Sequence, residues 1–296
     1  MKKTYRLLRY RLTSLFISFN IVILYIVAVL RGAAQPNLIP NPDFEEVYEF
    51  CYEPINNPGW YFTTSFLLLK NWLPTLYSVL YDGNGNVVLV YANLYTLSNY
   101  GTPDLYHSCI LLSAFRPFEP NTAGYQLPYS GQGYIGMGID AIWNRETVRV
   151  KLLDTLKKGQ GYCFSFHYSL ANYSSAAASH LGAVFSRDSF YVGTIPQDID
   201  YDTRVFSDSV LCKDLDTVNW HIYEGHFLAK GGEEWLTLGW LHKTQHISFV
   251  FAPYPVGDTL DYFKAYYLID ALELIECPQY GVPDYEVIPP NVISPN

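Results

Sequence analysis

Apolar and polar residues alternate with a two-residue period along much of this chain. In residues 148–152, Val148, Val150 and Leu152 alternate with Arg149 and Lys151. In residues 162–170, Tyr162, Phe164, Phe166, Tyr168 and Leu170 share one face, with Cys163, Ser165 and His167 on the other. Ile247, Phe249 and Phe251 repeat the pattern. A period of two, rich in aromatic and β-branched residues and punctuated by Gly, Pro and Asn, predicts strands of a β-sandwich. The stretch from Tyr81 to Val87, with its Asp-Gly-Asn-Gly-Asn core, predicts a hairpin turn. Only residues 172–183, which contain three consecutive alanines, carry a weak helical signal.

The last long strand-like run, residues 265–277, adds chemistry to the pattern. Strict alternation puts Asp270 on the same face as Tyr266, Leu268, Leu272 and Leu274. A carboxylate among inward apolar side chains is costly unless it is hydrogen-bonded, paired or bound to metal. Near the other end, turn formers lead into Phe44 and two carboxylates in the stretch NPDFEE, residues 41–46. First and last strands of a sandwich often lie side by side, because chain termini tend to be close. Phe44 would then anchor in the core while Glu45 or Glu46 approaches Asp270. Carboxylates sharing a dry corner call for a hard cation, so a structural calcium held by Glu45, Glu46, Asp270 and nearby carbonyls is expected.

Residues 1–34 begin with five basic side chains, continue into an apolar run and end in Gly32, Ala33 and Ala34, the layout of a secretory signal peptide. That leader holds six of the 19 Lys and Arg and none of the 28 Asp and Glu. Residues 35–296 therefore carry 13 basic and 28 acidic side chains, a net charge of −15. Such a surface repels nucleic acid and anionic lipid. Residues 35–277 are expected to form one domain, and the Pro-rich residues 278–296 a linker leading towards a missing sorting domain. Five cysteines in an exported chain predict disulfides and leave at least one residue unmatched.

The chain carries no recognisable catalytic or metal-binding motif. No CxxC or zinc-spaced Cys/His cluster occurs, and no Gly-x-Ser-x-Gly elbow or phosphate-binding glycine loop. Asp198, Asp200 and Asp202 open like a calcium loop, but Thr203 and Ser209 stand where an EF-hand needs Gly and Glu. Cys163 lies close to His167, yet a strand in an exported protein favours a disulfide or a buried thiol over a nucleophile. Glu233 and Glu234 follow Lys-Gly-Gly, which suits a turn better than a carboxylate pair for glycoside hydrolysis.

The two ends also carry a family resemblance. Residues 37–46, NLIPNPDFEE, and residues 266–274, YYLIDALEL, resemble the opening and closing strands of carbohydrate-binding-module-like, galactose-binding-type jelly rolls, with Ala271 where a second Asp is usual. That resemblance implies a jelly-roll β-sandwich and a structural calcium at the corresponding Glu and Asp. Residues 101–109, 124–139, 161–174, 180–186 and 231–241 resemble secreted Bacteroidetes surface proteins of the OmpA-associated and gliding-motility-associated kind. It implies a disulfide between Cys51 and Cys109. The tail IPPNVISPN resembles the start of a gliding-motility C-terminal domain, which implies type IX secretion to the outer surface of a Gram-negative cell.

The expected protein is an all-β jelly roll acting as a non-catalytic, exported binding or adhesion module. Aromatic side chains stack on sugar rings while polar neighbours bond the hydroxyls, so glycan is the expected ligand class. Trp60, Tyr61, Trp143 and Trp240 are the candidate platforms, chosen as aromatics near loops or strand ends. The rival readings are a structural component of the cell envelope working through protein–protein contacts and, further off, a jelly-roll glycosidase or lyase.

Overall fold

A computed structural model describes residues 35–48, 69–74, 77–81, 87–92, 103–110, 113–139, 145–189, 203–206, 215–241, 247–252 and 265–277. All of these except residues 35 and 36 belong to one compact unit, Asn37–Asn296. Its strands in chain order are β1 (Trp72–Pro74), β2 (Tyr77–Tyr81), β3 (Val87–Ala92), β4 (Asp104–His107), β5 (Gly133–Ile139), β6 (Thr147–Lys151) and β7 (Gly161–Leu170). They continue with β8 (Ala176–Ala178), β9 (Gly182–Ser186), β10 (Thr203–Phe206), β11 (His221–Leu228), β12 (Trp235–Gly239), β13 (Phe249–Phe251) and β14 (Ala265–Glu276). No α-helix occurs among the described residues.

Two five-stranded sheets make up the sandwich, in the orders β1-β6-β12-β9-β10 and β11-β7-β14-β5-β4. Every recorded pairing is antiparallel. The alternation in residues 162–170 works as the pattern predicts. Phe164 and Phe166 are buried, and Phe164 meets Phe185 of the opposite sheet edge-on at 5.5 Å. Phe185 stacks on Phe227 at 4.5 Å, and Trp240 packs against Tyr267 at 5.9 Å. The core between the sheets is therefore strongly aromatic, which is where part of the high aromatic content goes.

The chain ends meet as expected. Leu38 N–H donates to Leu274 C=O at 2.9 Å, and Leu272 N–H to Pro42 C=O at 2.9 Å. The Asn37 side chain extends the contact, with its amide on Leu272 C=O and its carbonyl oxygen on Leu274 N–H. Phe44 is fully buried and sits 5.3 Å from Trp72. It does so at φ 59°, a left-handed conformation that an aromatic residue adopts only when packing holds it there.

Three local expectations need correcting. Ala176–Ala178 form strand β8, paired with β13, and not a helix. All three alanines are fully buried, and tertiary packing overrides their intrinsic preference. Alternation also does not run unbroken through β14. Its register with β7 shifts between Asp270 and Glu273, with Ala271 at φ 48°. This bulge places Leu274 beside Phe164 on the core side and Asp270 beside His167 on the opposite, outer face. Asp270 therefore does not share a face with Leu272 and Leu274. The third correction concerns Trp240, which is 1% exposed and serves as a core residue, so it presents no face to a ligand.

The strand pair β2–β3 flanks the expected hairpin, whose turn residues lie outside the described set. Glu233 plays the turn role read from the sequence. Its two carboxylate oxygens accept the N–H groups of Lys230 and Gly231, each at 2.8 Å.

Candidate ligand-binding site

The outer face of the β11-β7-β14-β5-β4 sheet divides into a covered half and an open half. Over β4, β5 and β14 lies the segment 113–132. Phe115 packs on Tyr106 at 5.8 Å, and Tyr106 stacks on Tyr134 at 5.1 Å. The Asn121 side chain donates to the Tyr134 hydroxyl, which in turn donates to Gln126 C=O. Over β7 and β11 the face is open: Ile222, Glu224, His226 and Leu228 are exposed at alternate positions of β11.

An aromatic ridge runs along the border between the halves. In the extended stretch 125–129, Gln126 turns inward and Tyr125, Leu127 and Tyr129 turn outward, each about half exposed at 50%, 49% and 50%. Tyr129 lies flat on the His167 ring, centroid to centroid 3.5 Å. Trp220 meets Tyr129 edge-on at 6.4 Å and Tyr134 at 5.9 Å. Ile222, 49% exposed, continues the apolar surface onto β11.

The ridge is pinned by hydrogen bonds. Tyr125 N–H donates to Asn172 Oδ1 at 2.7 Å, and Trp220 Nε1–H donates to Leu127 C=O at 2.8 Å. Just beyond it, Asp270 Oδ2 accepts Ser130 N–H at 2.9 Å while Oδ1 accepts Ala271 N–H at 2.7 Å. Glu45 Oε1 then takes Gln132 N–H at 2.6 Å and Gly133 N–H at 3.0 Å. Gly131, at φ 59°, lets the loop pass so close that a Cβ there would collide with the Glu45 carboxylate. The carboxylates at the two chain ends thus grip the backbone amides of residues 130, 132 and 133 in the loop that carries Tyr129.

Their titration reflects the surroundings. Burial pushes the Asp270 carboxyl up to about 7 against the pull of its amide donors, with the negative charge of Asp43 adding to the rise. Burial likewise raises Glu45, its two amide bonds work against that rise, and Asp43 adds to it. Burial lowers His167.

Of the expected metal ligands, Glu45 and Asp270 do converge on one loop. Glu46 is exposed, and its backbone, not its carboxylate, is engaged by Asn41 and Lys70. Among the described residues no group of three or more His, Cys, Asp or Glu is arranged to hold a metal ion. Both Asp270 oxygens and one Glu45 oxygen face N–H donors, so the carboxylates have hydrogen-bond partners without a cation.

Trp60, Tyr61 and Trp143 lie outside the described residues, as does Cys51. Cys109 is buried and disulfide-bonded. A second bridge joins Cys163 to Cys277. The ridge residues Tyr125, Leu127 and Tyr129 and the flanking Trp220 were not singled out from the sequence. A signal was there, in a Tyr-x-Leu-x-Tyr alternation stiffened by Pro128 and bounded by Gly124 and Gly131.

Together the sheets and this partly covered face define an all-β jelly-roll sandwich. No protein-family model matches the chain, and no curated protein matches its sequence. Solved structures similar to it include the K1 cleaved adhesin domain of Lys-gingipain from Porphyromonas gingivalis W83. That match has 13% identity and a TM-score of 0.32, over 70% of this chain and 95% of that one. Also similar are the CBM22-1 xylan-binding domain of Paenibacillus barcinonensis Xyn10C (14%, TM-score 0.28, 50% and 75%) and TmCBM61 in complex with beta-1,4-galactotriose (10%, TM-score 0.29, 82% and 99%).

Proposed function

We propose that this is an exported, non-catalytic binding module that takes a glycan on the outer sheet face, along the Tyr125–Leu127–Tyr129 ridge. The observation that carries the reading is a row of half-exposed aromatic and aliphatic side chains whose backbone is fixed on both sides by hydrogen bonds. A pre-ordered platform loses little entropy when a ligand arrives. Sugar rings stack on such faces, and Glu224, two positions along β11 from Ile222, and Asn219, in the turn before the strand, stand ready to meet hydroxyl groups. The acidic chain disfavours polyanionic ligands, which points to neutral or basic polysaccharides.

Soluble xylan and β-1,4-galactan, titrated against the full chain with tryptophan fluorescence as readout, test this reading. At least one neutral polysaccharide is expected to bind, and Tyr129→Ala is expected to weaken it about fivefold or more, in line with a loss above about 1 kcal/mol when an aromatic anchor is truncated. If a broad panel of neutral polysaccharides fails to bind the wild type, or binds Tyr129→Ala equally well, the glycan reading is wrong.

Calcium is tested separately. Because amide donors already occupy the Asp270 oxygens, excess calcium and chelator are expected to give the same thermal unfolding curve. A calcium-dependent rise of about 2.7 kcal/mol at hundredfold excess over Kd, lost in Asp270→Ala, would instead place a cation between the chain ends.

The envelope-protein reading draws on the same exposed ridge, since an apolar patch also suits a protein partner. Export, the outer-membrane surface and type IX secretion rest on the leader-like residues 1–34 and the tail motif.

A further inference from the structure

Three shielded polar atoms on the outer face meet no hydrogen-bond partner among the described residues: Ser130 Oγ, His167 Nδ1 and Ser169 Oγ. Buried polar atoms are almost always bonded, because each one left without a partner costs roughly 1–3 kcal/mol. Three in one locality are therefore a signature of a bound group.

Their placement puts them around Asp270. His167 is the cross-strand neighbour of Asp270, and Ser169 lies diagonally across, opposite Leu268. Ser130 is tied to Asp270 through its own N–H. The Tyr129 ring lies over His167 and roofs the spot. Ser169 is fully buried beneath the covered half of the face.

We propose that Ser130 Oγ, His167 Nδ1 and Ser169 Oγ frame a binding site for a neutral hydroxyl-type oxygen, which in the free protein is a single ordered water under the Tyr129 ring. The chemistry of the frame selects the occupant. His167 Nδ1 meets no partner, and in a neutral imidazole it gives or takes a proton according to the tautomer. Each serine hydroxyl both donates and accepts, and so does a water, so one water can serve Nδ1 in either tautomer and bridge both serines. That is the two to four partners a buried water requires. An anion would face Asp270 and Asp43. A bare cation would need the Asp270 oxygens, which are turned towards Ser130 N–H and Ala271 N–H.

The test needs no glycan, so its outcome is separate from that of the glycan reading. Ser130→Ala and Ser169→Ala, made in the full chain, remove one hydroxyl each and leave the packing intact. If a water joins them, each is expected to lower Tm by about 2–4 °C for a domain of this size. The double variant should lose clearly less than the sum, because both serines hold the same water. If the hydroxyls are unpartnered, the sign reverses: removing a buried atom with no partner leaves Tm unchanged or raises it, and the proposal fails. Strict additivity would also overturn it, since it would assign the two hydroxyls to separate sites. Ser165→Ala, on the same face of β7 but away from the roofed spot, is the control and should change nothing. A high-resolution crystal structure decides directly: an ordered oxygen within hydrogen-bond reach of all three atoms is expected, and none there would end the proposal.

Discussion

Replacing Cys163 and Cys277 together by Ser is expected to cost about 3–5 kcal/mol of stability and to lower Tm by about 10 °C. The bridge closes a separation of 114 residues, and a loop of that order removes close to 5 kcal/mol of freedom from the unfolded chain in the entropy model. Its position adds to the effect. Cys163 is the register partner of Ile275, and Cys277 N–H donates to Gly161 C=O, so the bridge locks the final residues of β14 onto the neighbouring strand β7. The N-terminal segment leans on that same end through Leu38 and Leu274. Fraying of β14 would therefore loosen residues 37–42 and, beyond them, the Glu45 grip on the ridge loop. Urea unfolding of the double variant against the oxidised wild type measures this. A loss below about 1 kcal/mol would mean that the sheet hydrogen bonds alone hold the two ends together.

Much of this architecture can be read from the period-two pattern, because one face of each long strand is buried against the other sheet. β7 is the clearest case: its aromatic side packs against Phe185 and Phe227, and its polar side faces out. The pattern misleads at β14. A bulge at Ala271 reverses which face the following residues occupy, and a single extra residue leaves no mark on composition. Asp270 and Glu45 were recognisable as unusual carboxylates at meeting chain ends. Their partners were not, since backbone amides of a loop more than 80 residues away have no side-chain signature. Trp240 was misplaced for a similar reason: a tryptophan near a strand end reads alike whether its ring turns outward or, as here, onto Tyr267 in the core. The Cys163–Cys277 bridge becomes predictable only once the register of β7 against β14 is known.

The fold is expected to gain stability on mild acidification, and Asp104 should carry much of that gain. Asp104, on the same face of β4 as Tyr106, turns its carboxyl under the covered half of the outer face, where the Tyr266 hydroxyl donates to it at 2.6 Å. Gly136 makes room for that hydroxyl, since a Cβ there would collide with it. Burial pushes Asp104 up to about 7, with the Tyr266 bond pulling the other way. Glu146, fully buried on Gly138 N–H, is raised strongly by burial and by the charge of Asp104. Two such carboxyls cannot both ionise cheaply in a dry site, so a proton stays there near neutral pH. A folded pKa raised above the ordinary 3.8 stabilises fully below about pH 4, and that contribution is lost as pH rises through about 7. The shift corresponds to a few kcal/mol, at about 1.4 kcal/mol per unit. Asp270 works in the same direction. His107 and His167, lowered by burial, oppose the gain below their usual range, so stability is expected to peak near pH 5. Urea unfolding at pH 5 and pH 8 measures the difference. Asp104→Asn should flatten it and be at least as stable as wild type at pH 8, because the amide oxygen still accepts from Tyr266 and no charge is buried. Asp270→Asn should instead weaken the fold at both pH values, because an NH2 group cannot accept the amides that the carboxylate holds. A wild type equally stable at both pH values, or a slope unchanged in Asp104→Asn, would mean that these carboxyls ionise in the folded protein much as they do in water.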